Sequence, residues 1–438
     1  MRKKVGMFVW NHFTNDARVL RECTALVESG YEVDLFCIDD PNDQGLPSFE
    51  QRNEFFRITR VRRYPILFTW MQKCKKHPLL LLPLLLIYLF SLVYLPIPTI
   101  SLSVLIIGLL KTKLRVIWVR GGIIARMIIL GWIGRYDIYH SNDLNTLPQG
   151  YICAKWRWKK KKLIYDSHEV QTSRTGYDGK SYGILERFLI KRIDKMIVEN
   201  QTRAKYNEEL YGFYPAVVHN YPFNMDSNDQ KKVPLHDLLR LPPSEKILLY
   251  QGGIQVGRGL EQLIQAVPLF DEGTLVMIGD GRLKPKLEEM VEEMELKEKV
   301  KFLPKVPLVD LPKYTRNAYI GFQVLNNVCF NHYSASSNKL FEYLMAGVPV
   351  VACQFPEIKR VVEGDETGIC VDSHDYREIA RGVNELLSNP EKYMNMRKNC
   401  KIASRKYNWE KEKHYLTSVY DHLLNEDTKK NNSILELP

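Results

Sequence analysis

From Pro78 to Leu110 the chain runs 33 residues without a charge, and no other stretch restricts its folding so tightly. Residues 79–95 nearly reach the about 20 apolar residues that a bilayer-spanning helix needs. Residues 99–110 are too short to cross, and Pro96-Ile97-Pro98 divides the two pieces. Strand-like apolar segments lie on either side, within residues 5–38 and 137–169, and read as parts of one sheet. A single crossing would leave them on opposite sides of a membrane. The run must therefore enter and return as a monotopic or re-entrant helical hairpin, or else pack as a buried helix pair on the face of that sheet. So many consecutive Leu and Ile exceed what one helix face requires, which favours the hairpin. Lys73, Lys75, Lys76 and His77 precede the run, and Lys111, Lys113 and Arg115 follow it. Basic residues at both ends predict that residues 73–115 meet the cytoplasmic side of a cell membrane, as a peripheral or monotopic attachment.

The 438 residues exceed one ordinary core, so two domains are expected. Strand and helix patterns alternate almost throughout, which predicts an α/β chain with parallel sheets and helices on both faces. The boundary falls near Val218-His219-Asn220-Tyr221-Pro222, ahead of the polar run 224–232. Residues 1–222 then form the first domain, with the apolar insert at 78–110, and residues 223–405 the second. Residues 406–438 read as a closing helix, patterned from Tyr407 to Leu424, and a polar tail from Asn425 that is expected to fray. The net charge of +11 is partly concentrated in Lys155, Arg157 and residues 159–162, with Trp156 and Trp158 between them. Basic residues interleaved with aromatics can follow a nucleic-acid backbone. No nucleic-acid motif accompanies these, so no nucleic acid is expected, and an anionic membrane surface or a solvated helix end fits better. The eight cysteines are scattered without a C-x-x-C pair, and no Cys or His spacing suits a metal. Reduced, buried thiols are expected. The opening Met-Arg-Lys-Lys leads into a short apolar strand (Val5 to Trp10) without a small-residue cleavage site, so a signal peptide is not expected.

The segment Ser334-Ala335-Ser336-Ser337-Asn338-Lys339-Leu340-Phe341-Glu342-Tyr343-Leu344-Met345-Ala346-Gly347-Val348-Pro349-Val350-Val351 carries the clearest chemistry. Ser336, Ser337 and Asn338 suit a helix N-cap, and Leu340, Phe341 and Leu344 recur at helical spacing. Gly347 suits the helix end, and Pro349 blocks continuation. An open helix N-terminus offers free N–H groups and partial positive charge, a ready seat for a diphosphate. Lys339 and Glu342 fall on one face, one turn apart. A cation can then sit by phosphates while a carboxylate accepts from sugar hydroxyls, which suggests a nucleotide diphosphate held by its phosphates and its ribose. The plain alternative is a surface helix with an ordinary Lys–Glu pair.

The neighbouring segments decide between these readings. Tyr250-Gln251-Gly252-Gly253-Ile254, Arg258-Gly259-Leu260-Glu261, Leu275-Val276-Met277-Ile278-Gly279-Asp280-Gly281, Leu311-Pro312-Lys313-Tyr314 and Glu363-Gly364 follow in order over roughly 150 residues, about the size of one domain. In order and spacing they resemble the C-terminal half of the retaining glycosyltransferase family 4 enzymes. Weaker marks of the same family lie earlier, at Asn15-Asp16-Ala17-Arg18, Asp137-Ile138-Tyr139-His140-Ser141-Asn142-Asp143 and Leu163-Ile164-Tyr165-Asp166-Ser167-His168-Glu169. The resemblance implies the GT-B fold: two Rossmann-like parallel-sheet domains facing a cleft, here with a helical hydrophobic hairpin in the first. It implies transfer of a sugar from a nucleotide sugar, with retention of configuration, onto a lipid-linked or glycan acceptor in cell-envelope polysaccharide synthesis. No metal or other cofactor is expected beyond the nucleotide sugar.

By that resemblance Arg258 and Lys339, with the N–H groups of Ser336, Ser337 and Asn338, neutralise the leaving diphosphate. Glu342 binds the ribose, and Gly253, Gly279 and Asp280 shape the donor turns. Asn142 and Asp143 contact the acceptor or the transferred sugar, with His168 as a rival. Asn15, Asp16, Asp166, His168 and Glu169 line the acceptor side, where polar groups follow apolar strands. The leaving phosphate itself serves as the base, so paired carboxylates of the glycosidase kind are not required. Three positions depart from the family pattern. Ser334 stands where many members have a Glu eight residues before the ribose-binding one, Gly253 where many have Arg, and Asn142 where many have His. Two other classes remain open. One is a non-enzymatic glycan-binding or scaffold protein derived from such a transferase. The other is a nucleotide-sugar 2-epimerase, which shares the architecture but would not need the apolar insert. A dehydrogenase is disfavoured because neither glycine cluster gives G-x-G-x-x-G.

Overall fold

The short buried runs of aliphatic residues become the strands of two sheets in this computed structural model, which describes residues 2–14, 16–43, 45–66, 68–70, 82–173, 180–224 and 232–435. The chain divides into two compact units, residues 1–167 with 184–196 and residues 168–183 with 197–438. The boundary expected near residue 222 therefore lies inside the second unit.

In the first unit the strands are β1 (Lys4–Phe8), β2 (Glu32–Ile38), β3 (Phe49–Asn53), β4 (Phe56–Val61), β5 (Ile138–Asn142), β6 (Lys162–Ser167) and the start of β7 (Lys195–Val198). They run in the order β3-β4-β2-β1-β5-β6-β7. Only the edge pair β3–β4 is antiparallel among the pairings described. Apart from that edge the order is doubly wound and reverses between β1 and β5, so ligands are expected beyond the carboxyl ends of the central strands. Helix α1 (Ala17–Glu28) links β1 to β2, and Gly30 with φ +91° ends its turn.

The apolar insert lies between β4 and β5. It forms α2 (Leu82–Tyr94), α3 (Pro96–Lys111) and α4 (Leu114–Gly134). Pro96 opens α3 at a position where its missing N–H costs nothing, so the break falls at Leu95 as the proline pair predicts. The sequence reading ended the apolar helices at Leu110; α4 continues the pattern to Gly134. Arg115, Arg120 and Arg126 masked it, yet none falls on the buried stripe of Ile123, Met127 and Gly131. That stripe presses on the sheet: a Cβ on Gly131 would lie 2.7 Å from Phe8 Cζ and 2.9 Å from Cys153 Sγ. Asn15, Lys73, Cys74, Lys75, Lys76, His77 and residues 78–81 lie outside the described residues.

The second unit holds the end of β7, which pairs with β8 (Ala216–Val217), and a separate six-stranded parallel sheet. Its strands are β9 (Ile247–Gln251), β10 (Thr274–Ile278), β11 (Val300–Leu303), β12 (Ile320–Gln323), β13 (Val350–Cys353) and β14 (Gly368–Val371). The order β11-β10-β9-β12-β13-β14 is the Rossmann order 3-2-1-4-5-6, with its switch point between β9 and β12. Helices α5 (Leu260–Ala266), α6 (Leu311–Thr315) and α7 (Asn338–Ala346) border that point, and α8 (Trp409–Leu435) closes the chain. Leu416, Tyr420 and Leu423 bury one face of α8. The sequence reading frayed the chain from Asn425; the helix instead runs on to Leu435, since no Gly or Pro interrupts it before Pro438. His219 Nδ1 meets Glu412 of α8 at 2.9 Å, and Trp409 N–H donates to Pro222 O at 2.9 Å, which fixes the helix to the 219–222 segment.

The described cysteines are all free, and most are buried. Burial raises the Cys37, Cys153 and Cys353 thiols to about 12, so they sit as neutral apolar groups.

Candidate active site

Two glycine turns shape the mouth of the second sheet. Gly252 follows β9 and Gly279 follows β10, and Gly252 N–H donates to Ile278 O at 2.9 Å. A Cβ on Gly279 (φ +156°) would stand 1.9 Å from Gly252 O, so only glycine lets the turns lie against each other. A Cβ on Gly252 (φ +123°) would come 3.4 Å from Lys339 Cε and Nζ. The Lys339 side chain thus lies directly against the Gly252 turn. Gly253 O accepts the Tyr250 hydroxyl at 2.8 Å, while exposed Asp280 turns its carboxylate onto Gly281 N–H at 2.8 Å.

Helix α7 begins beside this turn. Ser337 is its N-cap residue in extended conformation, and no side chain caps the first turn. Its leading N–H groups have no partner within the helix, which leaves them for a ligand. Gly347 ends the helix with φ +70° and donates to Leu344 O, the left-handed stop that the sequence predicts. Ser336 is buried and Asn338 is exposed.

Lys339 is 6 % exposed and places Nζ 3.9 Å from the Tyr250 ring centroid. Burial holds its ammonium well below the ordinary lysine range; Arg258 lowers it further, and Glu342 opposes the shift. Arg258 is half-buried, and neither it nor Lys339 forms a salt bridge with a carboxylate among the described residues. Two cations therefore share a partly desolvated corner next to an open helix N-terminus. Such an arrangement is unfavourable until an anion enters. His332 is nearby, its imidazole pushed down by burial and by Arg258 against the lift of the Asn326 carbonyl.

Glu342 is held by a chain of bonds that the sequence did not disclose. Gln251, at the end of β9 and 1 % exposed, donates Nε2 to Glu342 Oε2 at 2.5 Å. Gln251 Oε1 accepts the Thr315 hydroxyl at 2.7 Å, which fixes the amide orientation. Glu342 also borders a small recess with Leu308, Leu311, Pro312, Met345 and Ala346, a flat apolar slot beside a carboxylate. A buried Gln at a strand end reads as an ordinary strand residue, so nothing in the sequence marks its role.

The remaining residues separate. Asn142 is 1 % exposed and donates Nδ2 to Phe8 O at 2.9 Å, tying β5 to β1. Asp143 follows in the left-handed region with φ +61°, and its N–H donates to Asp166 O at 2.8 Å. Asp166 is fully buried and takes Arg18 Nη2 at 2.8 and 3.0 Å. Asp16 caps α1, accepting Val19 N–H at 3.1 Å and Asn11 Nδ2 at 2.7 Å. Among the acceptor-side residues, then, Asp16 and Asp166 have structural duties in the first unit.

His168 and Glu169 belong instead to the second unit, with Arg258, Lys339 and Glu342. The His168 carbonyl accepts Arg203, and Val170 exchanges hydrogen bonds with Asn331 at 2.8 and 3.1 Å. Ser334, where many relatives carry Glu, is fully buried; it accepts Arg203 Nε at 3.1 Å and donates to Phe330 O at 2.8 Å. It braces the turn before α7.

Comparison with known proteins agrees with this fold. The family described as Glycosyl transferases group 1 matches residues 235–403. The D-inositol 3-phosphate glycosyltransferase of Xylanimonas cellulosilytica is 23 % identical over 313 residues, covering 66 % of this chain and 72 % of its own. The structure of sucrose-phosphate synthase from Thermosynechococcus elongatus superposes with a TM-score of 0.72 at 16 % identity, over 97 % of this chain and 100 % of its own. Anabaena HepE in complex with UDP gives a TM-score of 0.68 at 14 % identity, over 96 % and 100 %.

Proposed function

We propose a specific reaction for this chain, a group 1 glycosyltransferase of GT-B fold: it moves a sugar from a nucleoside-diphosphate sugar, with retention, onto a lipid-linked glycan acceptor. The observation that carries the donor half is the pair of cations without carboxylate partners among the described residues, Arg258 and buried Lys339, set beside the uncapped start of α7. They stabilise the diphosphate as negative charge develops on it, and no metal is needed where two side-chain cations and a helix terminus serve. Glu342, oriented by Gln251, accepts from the ribose hydroxyls. Retention follows if the leaving phosphate takes the acceptor proton on the same face of the sugar.

The membrane half of the reading rests on α2, α3 and α4. Ile97 is 77 % exposed, Val93 74 % and Ile133 69 %, among many exposed apolar residues on these three helices. β4 and β5 lie in one sheet, so the insert begins and ends on one side of any bilayer. Helix α3, with 16 residues, spans about 24 Å, short of the roughly 30 Å hydrocarbon core, while α4, with 21 residues, is long and apolar enough to cross but lays Ile123, Met127 and Gly131 against the sheet. On this reading the hairpin rests on the cytoplasmic side of the membrane, and the transfer belongs to cell-envelope polysaccharide synthesis. A panel of UDP- and GDP-sugars tests the donor half: release of nucleoside diphosphate that requires Lys339 supports it. No release and no nucleotide binding would leave a glycan-binding scaffold.

A further inference from the structure

The first unit contains a second cationic site, which the donor chemistry does not use. A cavity of about 520 Å³ is lined by Trp10, Asn11 and His12, which follow β1, by Ile38 at the end of β2, and by Arg63 and Tyr64, which follow β4. The first half of α4 completes it with Arg115, Val116, Val119, Arg120 and Ile123. These are carboxyl ends of neighbouring parallel strands, where open α/β sheets bind ligands. The volume lies within the range of small-molecule sites.

Its charge is one-sided. Three arginines line it and no carboxylate does. Among the described residues Arg63, Arg115 and Arg120 have no ion pair with a carboxylate. Asp39 accepts the backbone N–H of Arg63 rather than its guanidinium. The Arg115 guanidinium rests 5.0 Å from the Phe68 ring centroid, and that of Arg63 5.8 Å from Tyr64. Guanidinium groups offer paired donors that match phosphate oxygens. The same helix that supplies Arg115 and Arg120 exposes Leu114, Val116 and Ile117, so a phosphate held here leaves an attached apolar chain beside an apolar surface.

We propose that this cavity binds the phosphate or diphosphate of the acceptor, clamped by Arg63, Arg115 and Arg120. Trp10 and Tyr64 offer faces to the adjoining sugar, and α4 leads a lipid tail toward the α2–α3 hairpin. The inference deepens the proposed transfer and rests on the first unit being the acceptor side. A soluble sugar phosphate presents the same anionic group, and the test separates the two sources.

The test is flotation of the full chain with phosphatidylcholine vesicles, alone, with a few per cent polyprenyl diphosphate, or with the same charge of phosphatidylglycerol. Inorganic pyrophosphate and a glycosyl 1-phosphate serve as soluble competitors. Polyprenyl diphosphate should bind at least about ten-fold more tightly than phosphatidylglycerol, and Arg63→Gln with Arg120→Gln should remove that preference, as expected for lost charge-assisted bonds. UDP affinity of the double variant should stay unchanged, and an unchanged circular-dichroism spectrum and thermal melt show that its first unit still folds. Stronger binding of the soluble glycosyl phosphate than of the lipid would keep the phosphate site and assign it a soluble acceptor. Equal binding of phosphatidylglycerol and polyprenyl diphosphate, or full retention by the double variant, would overturn the proposal. Failure to bind any nucleotide with the lipid preference intact would sink the transferase reading alone.

Discussion

Replacing Lys339 with methionine should strengthen the ligand-free fold and weaken its hold on nucleotide, two effects of opposite sign from one substitution. The ammonium is 6 % exposed and its charged form is disfavoured: burial and Arg258 together outweigh Glu342. Its contact with Tyr250, 3.9 Å from Nζ to the ring centroid, offsets part of that cost. Methionine keeps the length and a sulfur–aromatic contact without the charge. Removing an uncompensated buried charge should then gain about 1 kcal/mol, or roughly 2 °C in melting temperature for a unit of this size. A diphosphate loses a charge-assisted partner in the variant, worth about 1.5–3 kcal/mol, so UDP affinity should fall roughly 10- to 150-fold. Thermal melts with and without UDP, together with calorimetric titration, read both effects. A variant that melts lower yet binds UDP as wild type does would refute the assignment and make Lys339 a packing residue.

The site makes further commitments. Gly279→Ala should destabilise the second unit by about 2 kcal/mol, because its Cβ would stand 1.9 Å from Gly252 O and the turn must shift; an unchanged denaturation midpoint would contradict that. The Lys339 pKa is lowered in the folded state, so the unfolded chain binds more protons above it, and ligand-free stability should rise with pH through that window. Over the same window the cation is lost, so UDP affinity should fall; titrations in buffers of different ionisation heat should show proton uptake on binding, and parallel trends would contradict the account. Ile97→Asp with Val104→Asp, both at exposed positions, should release the chain from phosphatidylcholine vesicles without altering UDP affinity. Gln251→Ala frees Glu342 from its 2.5 Å bond and should raise the KM for donor more than it lowers kcat.

Helix α7 was legible because each of its parts has a local signature: small polar residues at its start, apolar residues at helical spacing, and Gly347 at its end. The glycine turns after β9 and β10 were legible for the same reason, as strands that stop at glycine, although the sequence pointed to Gly253 where Gly252 is the residue with φ +123° beside Lys339. Gln251 and Thr315 were not, since a hydrogen bond between residues 64 apart leaves no local pattern. Helix α4 escaped because its arginines interrupt the apolar run, although they lie off the buried stripe of Ile123, Met127 and Gly131. The arginine cavity is assembled from three strand ends and a helix spread from Trp10 to Ile123, so only the fold brings it together. Asp16 and Asp166 show the limit of that reading: both follow strands, and the fold gives each a structural partner that the sequence did not disclose, since one caps α1 and the other holds Arg18.

The most direct test of the whole account is the fate of the sugar. Purified protein is incubated with a donor carrying a radiolabelled sugar and with polyprenyl-diphosphate glycan in vesicles, and the label is partitioned between organic and aqueous phases. Label entering the organic phase with wild type, and absent with Lys339→Met, is the predicted result. Label remaining in water while nucleoside diphosphate is released at the same rate with and without the lipid would contradict it.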